Sequence, residues 1–302
     1  MTKMKTRVKA YAKINLHLDV TGIREDGYHN IQSIMHSVSL CDMVDIEIVE
    51  NKDENKEDKK IVIECDKAGV PLDEKNIAYK AARRFLDKAQ KDVGVIIKIK
   101  KNIPMAAGLA GGSADGAAVL VGLNKLFDGA LTLEELYLLG ATLGADVPFC
   151  IACGCYYTEG IGDKLFEIPS VSEETILVIA CGGEGVSTPA AYGLLDKKYN
   201  NFADYKAKDI EKIKECIVQG KNDFYNNIFN IFEEPIANER EAVKNAKNVM
   251  LVSGANAAMM SGSGPSVFGI FEELSSAENA VSVLKEQGYF ATVAYPTHKR
   301  EL

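Results

Sequence analysis

A glycine-rich segment between a strand pattern and a helical pattern limits the folds open to this chain more than any other feature. Apolar residues alternate over residues 93–99, which predicts a strand, and recur at helical spacing over residues 117–127. Between them, residues 104–116 read PMAAGLAGGSADG, with glycines at 108, 111 and 112. Glycine tolerates positive φ and lets the backbone approach a ligand closely. The free N–H groups of a helix start favour an anion, so the segment predicts an anion-binding loop at a strand–helix junction.

Two better-known phosphate loops do not match this segment. A Walker A loop requires Gly-Lys-Ser/Thr, and no lysine follows these glycines. A dinucleotide fingerprint requires Gly-x-Gly-x-x-Gly near the first strand of a parallel sheet, with an acidic residue after the second strand. A flexible loop that only permits tight helix–strand packing stays an alternative, and the segment alone names no reaction.

Strand and helix patterns interleave along the whole chain, which predicts an α/β or α+β fold. Asn76 is a good N-cap for a helix up to Ala89, and Thr132 with Glu135 forms a capping box. The residue composition and the order of the predicted elements change near residue 160, which we take as the division between domains 1–160 and 161–302. The remaining predicted strands are 8–20, 31–38, 43–49, 61–65, 149–157, 176–180, 257–261, 266–271 and 290–295, and the later predicted helices are 207–232, 235–246 and 275–287.

Charge and composition exclude several classes of protein. The 302 residues are 47% apolar and 26% charged, which excludes a disordered chain. The 35 Lys and Arg against 43 Asp and Glu give a net charge of −8, which disfavours a nucleic-acid partner. The nearly all-charged segment 50–60 is predicted to be a solvated hairpin tip.

Neither a membrane segment nor a disulfide framework is expected. The N-terminus lacks the pattern of a signal peptide, and the uncharged run 248–271 is too rich in glycine and serine for a membrane helix. Seven cysteines, an odd number, indicate reduced thiols and a cytoplasmic location. Cys150, Cys153 and Cys155 lack a fourth ligand nearby, so buried free cysteines in a core strand are favoured over a metal site.

Two charged residues in apolar surroundings are candidates for catalysis. Asp146 lies in the segment LGADVPF, where a carboxylate is costly unless it is paired, and it is either a general base or a structural cap. Lys13 shares a strand face with Asn15 and could hold a carboxylate ionised and neutralise a transferring phosphoryl group. An exposed strand lysine is the alternative.

Two turns add weaker signals. Tyr28 and His29 stand side by side in a turn, where an aromatic ring and an imidazole could clamp a flat base. The turn SGSGP at residues 261–265 could be a second phosphate cradle, but a simple hairpin turn is the favoured interpretation.

Taken together, these motifs resemble those of the GHMP kinase superfamily. The segments AKINL (12–16), GYH (27–29), the loop 104–114, LGADVPF (143–149) and SGSGPS (261–266) have the order and approximate spacing of that family. The resemblance spans nearly the whole chain. It implies an α+β fold with an N-terminal α/β domain like domain 2 of ribosomal protein S5 and a C-terminal ferredoxin-like domain.

The resemblance also implies a reaction and roles for individual residues. The substrates would be ATP, with Mg²⁺, and a cytidine-diphospho-alcohol, with Asp146 as the base and Lys13 as its electrostatic partner. Asn15, Tyr28, His29, Thr188 and Tyr192 would bind the alcohol substrate, with its cytosine between Tyr28 and Tyr192. The residues implied for ATP are Pro104, Met105, Ala106, Ala107, Gly108, Leu109, Ala110, Gly111, Gly112, Ser113 and Ala114, with Asn76 and Lys101 near the nucleoside.

The chain departs from the family pattern at the end of the loop. The family often has Ser-Ser there, whereas this chain has Ser113-Ala114, so a hydroxyl that could bind phosphate or Mg²⁺ is absent and the metal ligands stay unassigned. A homoserine or mevalonate type of kinase stays open as an alternative, as does a nucleotide-binding regulator without catalysis. The expected assembly is a monomer or homodimer, without nucleic acid or membrane.

Overall fold

The structure is a computed structural model that describes residues 4–50, 60–185 and 187–301. In the first half, long antiparallel strands are followed by a strand–loop–helix unit, and the α+β class is confirmed. The elements are β1 (Lys5–Ile23), β2 (His29–Val49), β3 (Ile61–Cys65), α1 (Ile77–Lys88), β4 (Gly94–Lys100), α2 (Gly111–Leu126), α3 (Leu133–Ala141), α4 (Val147–Ala152), β5 (Cys155–Glu159) and β6 (Lys164–Glu167).

The second half alternates helices with short strands. Short 3₁₀ segments at Asn200–Phe202, Asn222–Asn227 and Ala237–Glu239 lie between its elements. These elements are β7 (Ile176–Cys181), α5 (Thr188–Lys198), α6 (Glu211–Val218), β8 (Phe229–Asn230), α7 (Glu241–Val252), β9 (Ala257–Met260), β10 (Val267–Phe271), α8 (Leu274–Glu286) and β11 (Phe290–Ala294).

The strands form two sheets, and β1 of the first sheet packs against the second. The first sheet has the order β3-β4-β2-β1-β8, and β5 and β6 extend it from β2. The second sheet has the antiparallel order β11-β7-β10-β9. The β5–β6 hairpin runs across residue 160 and belongs to the first sheet, so the domain division placed there remains a prediction.

Three apolar clusters explain why β1 is buried on both faces. One lies between the first sheet and α1–α2 and contains Ile46 and Phe85, and another packs Leu18 and Val20 against the second sheet with α7 and α8. In a third, Ile14 and other residues of β1 meet the inner face of the second sheet. Polar side chains of β1 that would reach water in an isolated sheet are therefore enclosed.

The helix starts predicted at Asn76 and Thr132 and most strands are confirmed, whereas the helix predicted for residues 235–246 runs from Glu241 to Val252. The Asn76 side chain accepts a hydrogen bond from Ala78 N at 2.9 Å, and both halves of the Thr132–Glu135 capping box are present. Residues 31–38 and 43–49 belong to one continuous strand, β2. The alternative of an exposed strand lysine is wrong, because Lys13 is only 5% exposed.

Three local predictions are wrong. Residues 149–157 form the end of α4 and then β5, rather than a single strand. Residues 207–232 contain α6, a 3₁₀ segment and β8 rather than one helix. Strands β2 and β3 are not neighbours, since β4 lies between them, so segment 50–60 does not close a hairpin; residues 51–59 lie outside the described part.

No helix in the described ranges is long and apolar enough to cross a membrane. Residues 257–271, within the uncharged run, form two short strands around a turn. All seven cysteines are free, and no group of three or more metal-ligating His, Cys, Asp or Glu occurs among the described residues. Cys150 lies in α4, Cys153 follows it, and Cys155 starts β5, so only Cys155 occupies the core strand predicted for all three.

Candidate active site

A cavity of about 1040 Å³ brings together nearly every predicted site residue. Its wall is built from β1, the glycine loop, the starts of α4 and α5, and the β9–β10 turn. Leu109 and Ala114 do not line it, because both side chains are buried in apolar clusters. The predicted residues that do line it are Lys13, Asn15, Tyr28, His29, Asn76, Lys101, Pro104, Met105, Ala106, Ala107, Gly108, Ala110, Gly111, Gly112, Ser113, Asp146, Thr188 and Tyr192.

Lys13 is fixed in the cavity wall by a chain of hydrogen bonds. Its Nζ donates to Asn15 Oδ1 at 2.6 Å, and Asn15 Nδ2 donates to Ser33 Oγ at 2.9 Å. Ser33 Oγ in turn donates to the carbonyl of His17 at 2.6 Å. These hydrogen bonds orient the Asn15 amide so that its oxygen faces Lys13.

Asp146 stands at the start of α4 with its carboxylate unengaged. Its side chain does not cap the helix, and it makes no ion pair with Lys13 within 4.0 Å in the described part of the chain. Burial and the Asp146 charge together hold the pKa of the Cys150 thiol well above its usual range. Because the Asp146 side chain does not cap α4, the alternative that Asp146 is a structural cap has no support. The pairing of Lys13 with Asp146 remains a prediction.

The glycine loop and the β9–β10 turn pack backbone against backbone. A Cβ on Gly108 would lie 2.2 Å from the carbonyl oxygen of Ser261, and a Cβ on Gly262 would lie 3.5 Å from Lys13 Nζ. Ser261 Oγ donates to Gly108 O at 3.2 Å. The turn is the predicted hairpin turn, and its residues 262–264 also line the cavity.

The start of α2 leaves its amides open. Ala110, the N-cap, has φ 57°, and its side chain makes no capping bond. The first turn of an α-helix carries N–H groups without intrahelical partners, together with a partial positive charge. These groups face the same cavity wall as Lys13, which suits an anion at this position.

Lys101 and Asn76 line the cavity but also hold the fold together. Lys101 Nζ donates to Asp42 and, at 2.8 Å, to Asp115 Oδ2, and Asn76 Nδ2 donates to the Pro71 carbonyl at 2.7 Å. Burial, with Asp42 nearby, raises the pKa of the Asp115 carboxyl above its ordinary value, although Lys101 opposes the shift. The sequence reasoning missed Asp42 and Asp115, although Asp115 lies within the glycine-rich segment.

Tyr28, His29 and Tyr192 all line the cavity. Tyr28 is 62% exposed, whereas the His29 ring stacks on Tyr192 at 4.5 Å between centroids. His29 Nε2 lies 2.6 Å from Asp196 Oδ1, a partner that the sequence reasoning missed. Thr188 begins α5, which carries both Tyr192 and Asp196. The sandwich of a base between Tyr28 and Tyr192 stays a prediction.

Two family models match the chain. The model for the N-terminal domain of GHMP kinases matches residues 76–154, and the model for their C-terminal domain matches residues 203–289. The first covers α1, the glycine loop and α4, and the second covers the β9–β10 turn. The chain belongs to the GHMP kinase family.

Relatives and solved structures narrow the comparison within the family. A protein of Clostridium acetobutylicum named 4-diphosphocytidyl-2-C-methyl-D-erythritol kinase is 41% identical, covering 93% of this chain and 96% of its own. A protein of Acetivibrio thermocellus with the same name is 44% identical, and the match covers 92% of this chain and 94% of that protein. A crystal structure of 4-(cytidine 5'-diphospho)-2C-methyl-D-erythritol kinase superposes with a TM-score of 0.76 at 30% identity, covering 96% of this chain and 99% of the other.

More distant neighbours share the fold. A homoserine kinase from Cytophaga hutchinsonii superposes with a TM-score of 0.74 at 17% identity, covering 100% of this chain and 97% of its own. A mevalonate kinase from L. major superposes with a TM-score of 0.74 at 16% identity, covering 98% of each chain. At this identity the likeness concerns the fold alone.

Proposed function

We propose that this chain transfers the γ-phosphoryl group of ATP to the 2-hydroxyl of 4-(cytidine 5'-diphospho)-2-C-methyl-D-erythritol, in the non-mevalonate route to isoprenoids. One observation carries the proposal: a single cavity holds an anion-binding loop, a buried lysine, an unengaged carboxylate and the Tyr28–His29 pair. The names of relatives that are 41% and 44% identical over most of the chain support the same substrate.

The ATP phosphates bind at the loop 104–114 and the start of α2. Open amides and the partial charge of a helix start stabilise phosphate oxygens, and Lys13 adds a positive charge. Mg²⁺ neutralises phosphate charge when it is bound. The Ser113 hydroxyl, which lines the cavity at the start of α2, would be the side-chain ligand of the ion.

Asp146 acts as the general base. It accepts the proton of the 2-hydroxyl while that oxygen attacks the γ-phosphorus in line and ADP leaves, without a phosphoenzyme. The positive charge of Lys13 compensates the negative charge of Asp146 and the negative charge that develops on the phosphoryl group. Asn15, which donates a hydrogen bond to Ser33, orients the substrate near the reacting hydroxyl. Among the described residues the carboxylate of Asp146 has no hydrogen-bond partner, which supports this role.

The cytidine end of the substrate binds near Tyr28, His29, Thr188 and Tyr192. Exposed Tyr28 is free to stack on a flat base, and His29 lies beside it in the cavity wall. A homoserine or mevalonate kinase has no use for such a base site. A regulator that only binds nucleotide has no use for Lys13 and Asp146 in one cavity.

The proposal also covers the organisation of the chain. Residues 1–160 form the domain with the phosphate loop, and residues 161–302 supply α5 and the β9–β10 turn to the cavity. All seven cysteines are free, which supports a cytoplasmic location.

A substrate panel tests the proposal. ATP consumption is measured with the cytidine-diphospho-alcohol, homoserine and mevalonate under the same conditions. We expect turnover with the cytidine substrate at a kcat/KM at least 100-fold above the other two, since the base site adds binding that they cannot use. Equal or better turnover of homoserine or mevalonate contradicts the proposed substrate, and no turnover of any acceptor contradicts catalysis.

A further inference from the structure

His29 and Asp196 form a hydrogen-bonded pair in the cavity wall that no step of the proposed transfer uses. Nε2 of His29 lies 2.6 Å from Oδ1 of Asp196, and the two side chains are 9% and 31% exposed. His29 starts β2 and Asp196 lies in α5, 167 residues further along the chain. Both residues line the cavity. The overall fold, not a local turn, creates this contact.

Aromatic packing fixes the plane of the imidazole ring. Tyr192 lies one helical turn before Asp196, so the two side chains share a face of α5. The His29 ring stacks on Tyr192 with 29° between the planes, and it meets Phe202 edge-on at 5.8 Å. The stacking holds the ring in this plane, and of the two orientations related by a flip within the plane, only the one with Nε2 towards Asp196 makes the 2.6 Å contact.

The carboxylate decides which ring nitrogen carries the proton. An ionised carboxylate only accepts hydrogen bonds, so Nε2 must donate to it. In a neutral imidazole the other nitrogen is then an acceptor with a free lone pair. Nδ1 of His29 has no hydrogen-bond partner within residues 4–50, 60–185 and 187–301. No described protein group therefore competes with a bound base for this nitrogen.

We propose that Asp196 is a positioning residue that holds His29 in the Nε2–H tautomer and thereby makes the base site select cytosine over uracil. Cytosine carries an amino donor at C4, whereas uracil, like thymine, carries a carbonyl acceptor there. The lone pair on Nδ1 accepts from the amino group and repels the carbonyl. The inference rests on the proposed function for the kind of substrate, and it adds the residue that sets the choice of base.

The tautomer is read directly by long-range ¹H–¹⁵N NMR on the full-length protein with labelled histidine, with the signal assigned by its loss in His29→Gln. We expect a protonated Nε2 and an unprotonated Nδ1 in the wild type, and a mixture of tautomers in Asp196→Ala. Asp196→Asn keeps an acceptor oxygen in place and should restore the Nε2–H form. A hydrogen on Nδ1 of the wild-type ring overturns the proposal.

Base selection is measured by calorimetry with CDP and UDP as probes. We expect the wild type and Asp196→Asn to prefer CDP, and Asp196→Ala to lose about 10- to 100-fold of that preference, the effect of one hydrogen bond. A purely structural role weakens both probes equally, and that result overturns the proposal, as does binding of neither probe. The matched control is Glu173→Ala, which breaks an exposed His298–Glu173 pair of 2.6 Å outside the cavity and should leave the preference unchanged.

The two failures are distinguishable. CDP preference that depends on Asp196, without turnover of the cytidine-diphospho-alcohol, contradicts the proposed function and leaves this inference standing. Turnover of that substrate with equal affinity for CDP and UDP contradicts this inference and leaves the function standing.

Discussion

At the scale of single residues, the carboxylate of Asp146 is the group on which the proposed chemistry depends. Asp146→Asn keeps the size of the side chain and removes its ability to take a proton. We expect kcat to fall roughly 10²- to 10⁴-fold, the usual worth of a general base. Binding of ATP should persist, because the loop amides that hold the phosphates are unchanged.

Steady-state kinetics and nucleotide calorimetry check this expectation. The matched control is Asp45→Asn, since Asp45 pairs with Arg7 on an exposed surface and does not line the cavity. It should leave kcat within about twofold of wild type. Near-normal turnover of Asp146→Asn excludes it as the base.

A second residue-scale effect concerns His17, whose ring is buried in β1 against Phe229 without a hydrogen-bond partner for either nitrogen in the described part of the chain. Burial lowers its pKa to about 4, although the Asp209 charge opposes the shift. Between that value and its ordinary pKa of about 6.5, the unfolded chain binds the proton and the folded chain does not. Stability is therefore lost as the pH falls through this window.

His17→Leu should remove this part of the pH dependence. By linkage the free energy of unfolding should fall by about 2 kcal/mol less than in wild type between pH 7.5 and pH 5. Urea unfolding over this pH range measures the free energy of unfolding of both proteins. Contributions from pKa shifts that both proteins share, such as that of His36, cancel in the difference between them. Leu16→Val, a neighbouring core change without a titrating group, should shift the curve without changing its slope. Parallel curves for wild type and His17→Leu contradict the expectation.

At the scale of elements, a buried ion cluster joins β2, the end of β4 and α2. Lys101 Nζ contacts Asp42 and Asp115, and all three side chains are at most 5% exposed. Burial alone would lower the pKa of Lys101, but Asp115 and Asp42 more than offset this and raise it. Asp42 Oδ1 also accepts from the backbone N of Asn102 and of Ile103. The cluster fixes the entry to the glycine loop.

Lys101→Met leaves two buried carboxylates without their cation. We expect a loss of roughly 3–5 kcal/mol in the free energy of unfolding, the usual cost of breaking a buried pair. Lys98→Met is the matched control, because its 2.8 Å pair with Glu64 is about half exposed and should cost less than about 1 kcal/mol. Chemical denaturation distinguishes the two, and equal losses would show that the cluster does not hold these elements together.

The contact between the glycine loop and the β9–β10 turn also belongs to this scale. Gly108→Ala places a Cβ 2.2 Å from Ser261 O at φ +76°, so the loop and the turn must separate. We expect the KM for ATP to rise at least about 10-fold, since misplaced positioning groups are costly. Gly129→Ala has the same φ and open space, so it should cost only about 1–2 kcal/mol of stability. An unchanged KM in Gly108→Ala rejects the role of this contact.

The elements also show where sequence patterns suffice. The caps at Asn76 and Thr132 are local chemistry and were predictable. The helix α4 was not, because its six residues are all apolar and periodicity cannot separate a short buried helix from a strand. The strand β8 exists through its parallel pairing with β1, which no local pattern encodes. Likewise, Asp196 lies too far in sequence from His29 for any motif to connect them.

At the scale of the whole molecule, one cavity draws residues from the first sheet, from the β9–β10 turn of the second sheet and from positions 13 to 264. With a net charge of −8, the proposed binding of two nucleotides depends on local groups in the cavity, the loop amides and Lys13, rather than on the average surface. The order of the motifs along the sequence predicted which residues share this cavity. The partners that fix them, Ser33, Asp115 and Asp196, became visible only when the sheets were assembled.

The most direct test of the central claim is ³¹P NMR of the product formed from ATP and 4-(cytidine 5'-diphospho)-2-C-methyl-D-erythritol. We predict a new phosphomonoester on the 2-hydroxyl, formed together with one equivalent of ADP, while the diphosphate bridge of the substrate stays intact. A phosphate on another hydroxyl, a cleaved diphosphate, or ADP formed with only inorganic phosphate would contradict the transfer proposed for this cavity.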